Sequence, residues 1–327
     1  MLMSMNQDDY YKLEYYDSIQ ARDVSWLWYP YIPYGKVTIV QGDPGEGKTT
    51  LMLQIAAMIT TGRSIPTGET TCEPQTVIFQ GAEDGKEDTI KPRLIKAGAD
   101  CSKVAFINAD YAAGLSIGDE RFRKAITDTN AKLLVIDPVQ AFLRKDTDSQ
   151  TPGGFRSAFA ALAKNAEESG CAVVLIGHMN KGGSNGKSIY RGLGSIDIAA
   201  AARSVLMVGR DKEDPDIRII VPVKSSLAPE GNAYAFRLDR EKGFQWVGKY
   251  DISAEELLSS SSFGERKIER AKACLMLLLN NEDMISNDIF ERIMATGIGK
   301  RTIESAKQEL DIVSYKKGND WYWHLEQ

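Results

Sequence analysis

The chain has 327 residues, 43% apolar and 26% charged, the ordinary mixture of a soluble protein with a sizeable core; at roughly 150 residues per domain it accommodates one large and one small unit. Forty lysines and arginines against 45 aspartates and glutamates leave a net charge of −5, which excludes coating of nucleic acid by bulk charge but not a local basic surface. The only two histidines, His178 and His324, exclude chemistry built on several imidazoles, and Cys72, Cys101, Cys171 and Cys274 are too scattered for a zinc knuckle, redox pair or disulfide framework.

Residues 1–22 are acidic and tyrosine-rich, without an apolar stretch of signal-peptide length, and read as an arm. No run reaches membrane-spanning length either, so the expectation is a soluble, cytoplasmic protein that does not engage a membrane. An aromatic and proline-rich entry, Trp26 to Pro33, leads into the apolar run Val37–Gln41. From 23 to about 250 short β-branched runs alternate with helical stretches, which predicts an α/β domain with a mostly parallel sheet. The predicted strands are Val37–Gln41, Thr76–Gln80, Val104–Asn108, Leu133–Asp137 and Ala172–Gly177, with helices at Thr49–Thr61, Glu120–Asn130 and Gly154–Ser169 between them. After 203 the runs Ser204–Val208, Ile217–Val223, Ala233–Leu238 and Phe244–Val247 are separated by turns, as expected of antiparallel strands added to the sheet edge. Residues 251–264 contain four consecutive serines from Ser259 and read as a linker to a compact unit at 265–327.

The strongest signal is Gly42-Asp43-Pro44-Gly45-Glu46-Gly47-Lys48-Thr49, followed by Thr50, a full match to the phosphate-binding pattern GxxxxGK[ST] between a strand and a helix. The glycines free backbone N–H groups to surround phosphates, and the helix N-terminus adds its dipole. Lys48 is placed to reach the β- and γ-phosphates of ATP, and Thr49 to supply a hydroxyl to Mg2+. Asp137, ending a run of four apolar residues, is the expected carboxylate on the metal side. Glu83 and Asp84, just past a strand, are candidates to orient the attacking water, Glu83 first, although helix capping is an alternative for both.

His178 closes the Val173–Gly177 run, where it would sit near the γ-phosphate; simple packing is the alternative. The glycine-rich stretch 180–194 carries Lys181, Lys187 and Arg191, and reads either as a surface loop or as one that touches nucleic-acid phosphates. In the C-terminal unit, helices at Glu265–Asn280, Asn287–Ala295 (with Ser286 as N-cap) and Lys300–Leu310 precede a hairpin turning at Lys317–Asp320. Ten basic residues against eleven acidic ones do not support electrostatic binding by the whole unit. Lys300, Arg301, Lys307, Lys316 and Lys317 nevertheless gather on the third helix and the wing, a face suited either to DNA or to a protein partner.

The lead-in Trp26–Pro33, the cradle, Ala82-Glu83-Asp84, Leu134 to Pro138, Gly177 to Lys181 and the tract from Arg191 through Arg203, Arg210 and Lys224, taken in order, resemble the RecA-like AAA ATPases of the RepA replicative helicase group of phages and mobile elements. The helix-helix-helix-hairpin tail is similar to a winged-helix domain. The resemblance implies a RecA-like ATPase that uses ATP and Mg2+ and encircles single-stranded DNA as a ring, usually a hexamer, with a primase or initiator protein as a further partner. It also implies a trans-acting basic residue, for which Lys224 and then Arg210 are the candidates, because such a cation stabilises the transferring phosphoryl group only when the interface closes. One departure is that Lys224 is followed by Ser225 and Ser226, whereas related ring helicases carry a Lys-x-Arg pair. An ATP-dependent DNA-binding switch that unwinds nothing and a small-molecule kinase are the rival readings.

Overall fold

The computed structural model describes residues 13–65, 73–143, 152–178, 201–212, 214–239, 241–258, 263–280, 283–318 and 320–325. The stretch 13–25 is exposed and carries only a short 3-10 turn, Tyr16–Ser18. The aromatic lead-in makes a small antiparallel ribbon, β1 (Trp26–Trp28) and β2 (Ile32–Pro33). Trp28, Tyr31 and Ile32 are buried there, and the Tyr31 hydroxyl donates to the Asn232 carbonyl at 2.7 Å.

Chain order then runs β3 (Val37–Gly42), α1 (Lys48–Thr60), β4 (Val77–Gly81), α2 (Lys91–Lys96), β5 (Val104–Ala105), α3 (Ala109–Ala112), α4 (Glu120–Thr129), β6 (Leu133–Asp137), α5 (Pro152–Ser169) and β7 (Ala172–His178). The antiparallel addition follows as β8 (Ser204–Arg210), β9 (Ile217–Ser225), β10 (Ala233–Asp239) and β11 (Gly243–Tyr250). These form one nine-stranded sheet in the order β11-β10-β9-β8-β3-β7-β6-β4-β5. Pairing is parallel from β8 through β5 and antiparallel from β8 out to β11, the α/β arrangement the sequence predicts.

Alternation along the central strands sends side chains to opposite faces. Leu133, Val135, Val174 and Ile176 pack with Leu51, Met52 and Ile55 of α1. Leu134, Ile136, Val173 and Leu175 pack with Phe122 of α4 and with Phe159 and Leu162 of α5 on the other side. Helices on both faces put every parallel strand's C-terminal end at one rim, where ligands of such sheets bind.

Two elements depart from expectation. The strand expected over Val104–Asn108 ends at Ala105, because the edge pairs with β4 only at Val104 and Ala105, after which the Ile107 N–H bonds the Gln80 side chain at 2.9 Å. The linker expected from 251 begins instead as packed structure. Ile252, Ala254 and Leu257, the last two in α6 (Ala254–Leu258), are buried against Met207, Ile219 and Val221 of the sheet. Reciprocal bonds close this helix start, from the Glu256 N–H to Ser253 Oγ and from the Ser253 N–H to the Glu256 carboxylate. That is a capping box, a signal present in the sequence as Ser253 followed three residues later by Glu256.

The C-terminal unit comprises α7 (Phe263–Leu279), β12 (Met284–Ile285), α8 (Ser286–Met294), α9 (Lys300–Glu309), β13 (Val313–Lys317) and β14 (Asp320–His324). Its three strands pair in the order β12-β14-β13 around a core that includes Leu275, Ile289, Ile293, Ile303 and Trp323. Strand β12 was not expected; its two residues are too few to leave a period in the sequence. The N-cap of α8 is Ile285, with Ser286 already inside the helix. Among the described residues no helix is long and apolar enough to cross a membrane.

Candidate nucleotide site

The segment 42–49 turns from the end of β3 into α1 at the rim where the parallel strands end. Gly42 lies so close to β8 that a Cβ there would stand 2.1 Å from the Val208 carbonyl oxygen. Gly45 and Gly47 hold φ of +79° and +87°, the left-handed region that side chains resist, and Gly47 caps α1. The first N–H groups of α1 have no intrahelical acceptor and open toward the turn.

Lys48 is buried, its ammonium donating to the Gly42 and Asp43 carbonyls at 2.8 Å each. Burial pulls its pKa below the usual lysine value, against the attraction of Asp137, Glu46, Asp43 and Glu83. Thr49 Oγ1 donates to Asp137 Oδ2 at 2.6 Å, joining two positions 88 residues apart in the chain. Burial raises the Asp137 carboxyl above the ordinary carboxylate range, opposed by the Thr49 bond and by Lys48. Glu83 stands across the cleft, its Oε2 3.7 Å from His178 Nε2. The His178 Nδ1 is buried without a hydrogen-bond partner among the described residues.

These groups line a cleft of about 390 Å³ with Gly45, Gly47, Thr50, Asp84, Arg93 and Leu238. The donor set fits Mg2+ with a nucleoside triphosphate: a hydroxyl and a carboxylate converge as hard oxygen donors beside a cation and a backbone cradle. Sequence reasoning missed Arg93, which lines the cleft and pairs with Asp84 at 3.1 Å. It lies ten residues beyond Glu83 with no pattern to mark it.

Arg210 is half-exposed beside the phosphate loop. Its Nε lies 3.7 Å from Glu46 of its own phosphate loop, and the buried Arg218, also missed, approaches the same carboxylate at 3.8 Å. Because β9 runs antiparallel to β8, Arg218 pairs opposite Arg210 at this rim, a proximity that only sheet register creates. Burial, then the Arg210 charge, lowers the Arg218 pKa. Lys224 sits at the other end of β9, six residues and about 20 Å of strand from Arg218, with its ammonium donating to the Ala202 carbonyl at 2.8 Å. Lys181, Lys187 and Arg191 lie outside the described residues. In the C-terminal unit Lys300, Arg301, Lys316 and Lys317 are exposed, but Lys307 is half-buried and bonded to Ser314 Oγ, so it is a brace between helix and hairpin rather than a solvent-facing charge.

A family model described as an AAA domain matches residues 13–184, just over half of the chain. Among curated proteins, the DNA repair protein RadA of Bacillus subtilis is 26% identical over 270 residues, 81% of this chain and 52% of its own length. The protein of the same name from Halalkalibacterium halodurans is 25% identical over 275 residues, 82% of this chain and 54% of its own. This chain therefore spans about half the length of the curated relatives it matches. Among solved structures, a KaiC-like protein of Pyrococcus horikoshii aligns with a TM-score of 0.47 at 18% identity, covering 65% of this chain and 90% of that one.

Proposed function

The chain belongs to the AAA-domain family, and from that premise we propose that it is a RecA-like Mg-ATPase acting on DNA as a ring motor, a replicative DNA helicase of the RepA type. The observation that carries the ATPase reading is the bond between Thr49 and Asp137 beside Lys48, which assembles loop, metal-side carboxylate and cation at one point. Thr49 directly and Asp137 through water would hold Mg2+, which would supply charge neutralisation to the bound triphosphate. Lys48 exchanges its two carbonyl partners for phosphate oxygens, and Glu83 orients the attacking water. His178, within reach of Glu83, reports on the γ-phosphate.

The DNA part of the reading is supported by the relatives' name and by the C-terminal unit, whose helix-strand-helix-helix-hairpin order resembles that of a winged helix. Single-stranded DNA is the proposed polymer, a hexamer the proposed assembly, and a primase or initiator the proposed loader. Lys224 is the proposed cation in trans. A second reading, an ATP-dependent recombination or repair factor without unwinding, is favoured by the similarity to RadA proteins over 81% of the chain.

The test is ATP hydrolysis with and without single-stranded DNA, together with unwinding of a forked duplex. Wild-type protein is expected to do both, and Lys48→Ala or Glu83→Gln neither. DNA-stimulated hydrolysis without strand separation would favour the second reading, and phosphate arriving on a small acceptor would overturn both.

A further inference from the structure

The C-terminal unit holds a second concavity, of about 440 Å³, between α8, α9 and the inner face of the β13–β14 hairpin. Its wall carries three rings, Phe290, Trp321 and Trp323, and one cation, Lys307, with Lys300 beside its edge at Phe290. Phe290 meets Trp323 edge-on at 5.1 Å between centroids, Lys300 lies 4.8 Å from the Phe290 ring, and Lys307 lies 4.8 Å from the Trp323 ring. Trp321 completes the lining, yet it is 53% exposed, and among the described residues no cation lies over its ring. Lys316 is its cross-strand partner and stands on the same face of the hairpin.

An indole half in solvent and paired across the hairpin with Lys316 offers open ring surface beside a positive charge. A ligand that answers both must carry a flat ring and an anion in one unit. An acidic peptide satisfies the lysines and leaves the indole bare, while duplex DNA keeps its base faces stacked against one another. Single-stranded nucleic acid offers base and phosphate together. Glu304, which also lines the groove, repels phosphate and sets the orientation: base inward toward Glu304 and Gln308, backbone outward.

The geometry points to this groove as a single-stranded nucleic-acid site in which one base stacks on Trp321 and Lys300 and Lys316 take the flanking phosphates. This rests on the reading of the chain as DNA-associated. It assigns the winged unit to single strands, where a recognition helix alone would read duplex.

Anisotropy of a labelled oligothymidylate and of a labelled duplex of equal length, titrated with the full chain, tests it. Trp321→Ala is expected to bind the oligothymidylate about tenfold more weakly, the stacking share of one base. Trp321→Phe should retain most of the affinity, and duplex binding should not change. Matching thermal melts of both variants establish that the fold is kept. Equal oligothymidylate affinity in Trp321→Ala overturns the site, as does an equal loss on single strands and duplex. Displacement by polyglutamate as readily as by unlabelled oligothymidylate would make it an acidic-peptide groove. Wild-type protein that binds neither nucleic acid would instead bring down the DNA reading itself, and the site with it.

Discussion

Asp137 shows how far a buried carboxylate can be pulled between opposing effects. Burial raises its pKa, and neither the Thr49 bond nor Lys48 cancels that shift. A carboxyl whose folded pKa lies above its unfolded value binds protons more readily when folded, so its contribution to stability falls as pH rises through that window. Ligand-free Asp137→Asn is therefore expected to melt higher than wild type at pH 7, with the gap closing as pH falls through the raised folded pKa and gone below the ordinary carboxylate value. Its ATP hydrolysis should fall about 10- to 100-fold, the cost of losing an outer-shell metal partner; melts across pH and steady-state rates check the two halves. Glu46 is the other residue under tension, since its Oε2 and the Arg218 Nε are both buried without hydrogen bonds. Glu46→Gln leaves Arg218 with less countercharge and should cost about 1–3 kcal/mol in denaturant unfolding. The pattern GxxxxGK[ST] made the loop and Lys48 legible from sequence. Arg218 was not, because its partner Glu46 is 172 residues away and only antiparallel register brings them together.

At the scale of elements, the turn between β3 and α1 separates two reasons for glycine. Gly45 has open space around it but a φ of +79°, whereas Gly42 has a Val208 carbonyl where a methyl group would go. Gly45→Ala is expected to cost about 1–2 kcal/mol of backbone strain. Gly42→Ala, which forces β3 from β8, should cost about 3 kcal/mol or more, and urea midpoints rank the two. Most elements were legible from periodicity, including the antiparallel addition after 203 and the hairpin at the C-terminal end. The misses have physical causes. Strand β5 lost its last three expected residues because an edge position lacks a second partner, and β12 is too short to show alternation. Helix α6 announced itself by a capping box inside a stretch whose serines suggested a linker.

For the whole molecule the sheet separates two basic positions that looked alike in sequence. Arg210 returns to its own phosphate loop, while Lys224 lies at the opposite end of β9. Distance removes Lys224 from its own cleft, so the proposed role of Lys224 requires a neighbouring subunit. Lys224→Ala is expected to bind ATP normally but hydrolyse it about 10³-fold more slowly, the low end for a cation supplied in trans. Mixing it with Lys48→Ala subunits should restore activity, because each supplies what the other lacks. Failure of the mixture to recover would place Lys224 in a structural role, consistent with its bond to Ala202.

The sequence by itself determined the α/β class, the phosphate loop, Asp137 at a strand end and a separate C-terminal unit, because each is written in local spacing: alternation, turn glycines, a single acid after an apolar run. It also bounded the charge at −5, so that any nucleic-acid contact had to be local. Tertiary structure alone decided which charges meet. Strand order placed Glu83, Asp137 and His178 around Lys48, register delivered Arg210 and Arg218 to Glu46, and helix-to-hairpin packing turned Lys307 inward and left Trp321 outward. These are contacts between residues distant in sequence, and no short-range pattern encodes them.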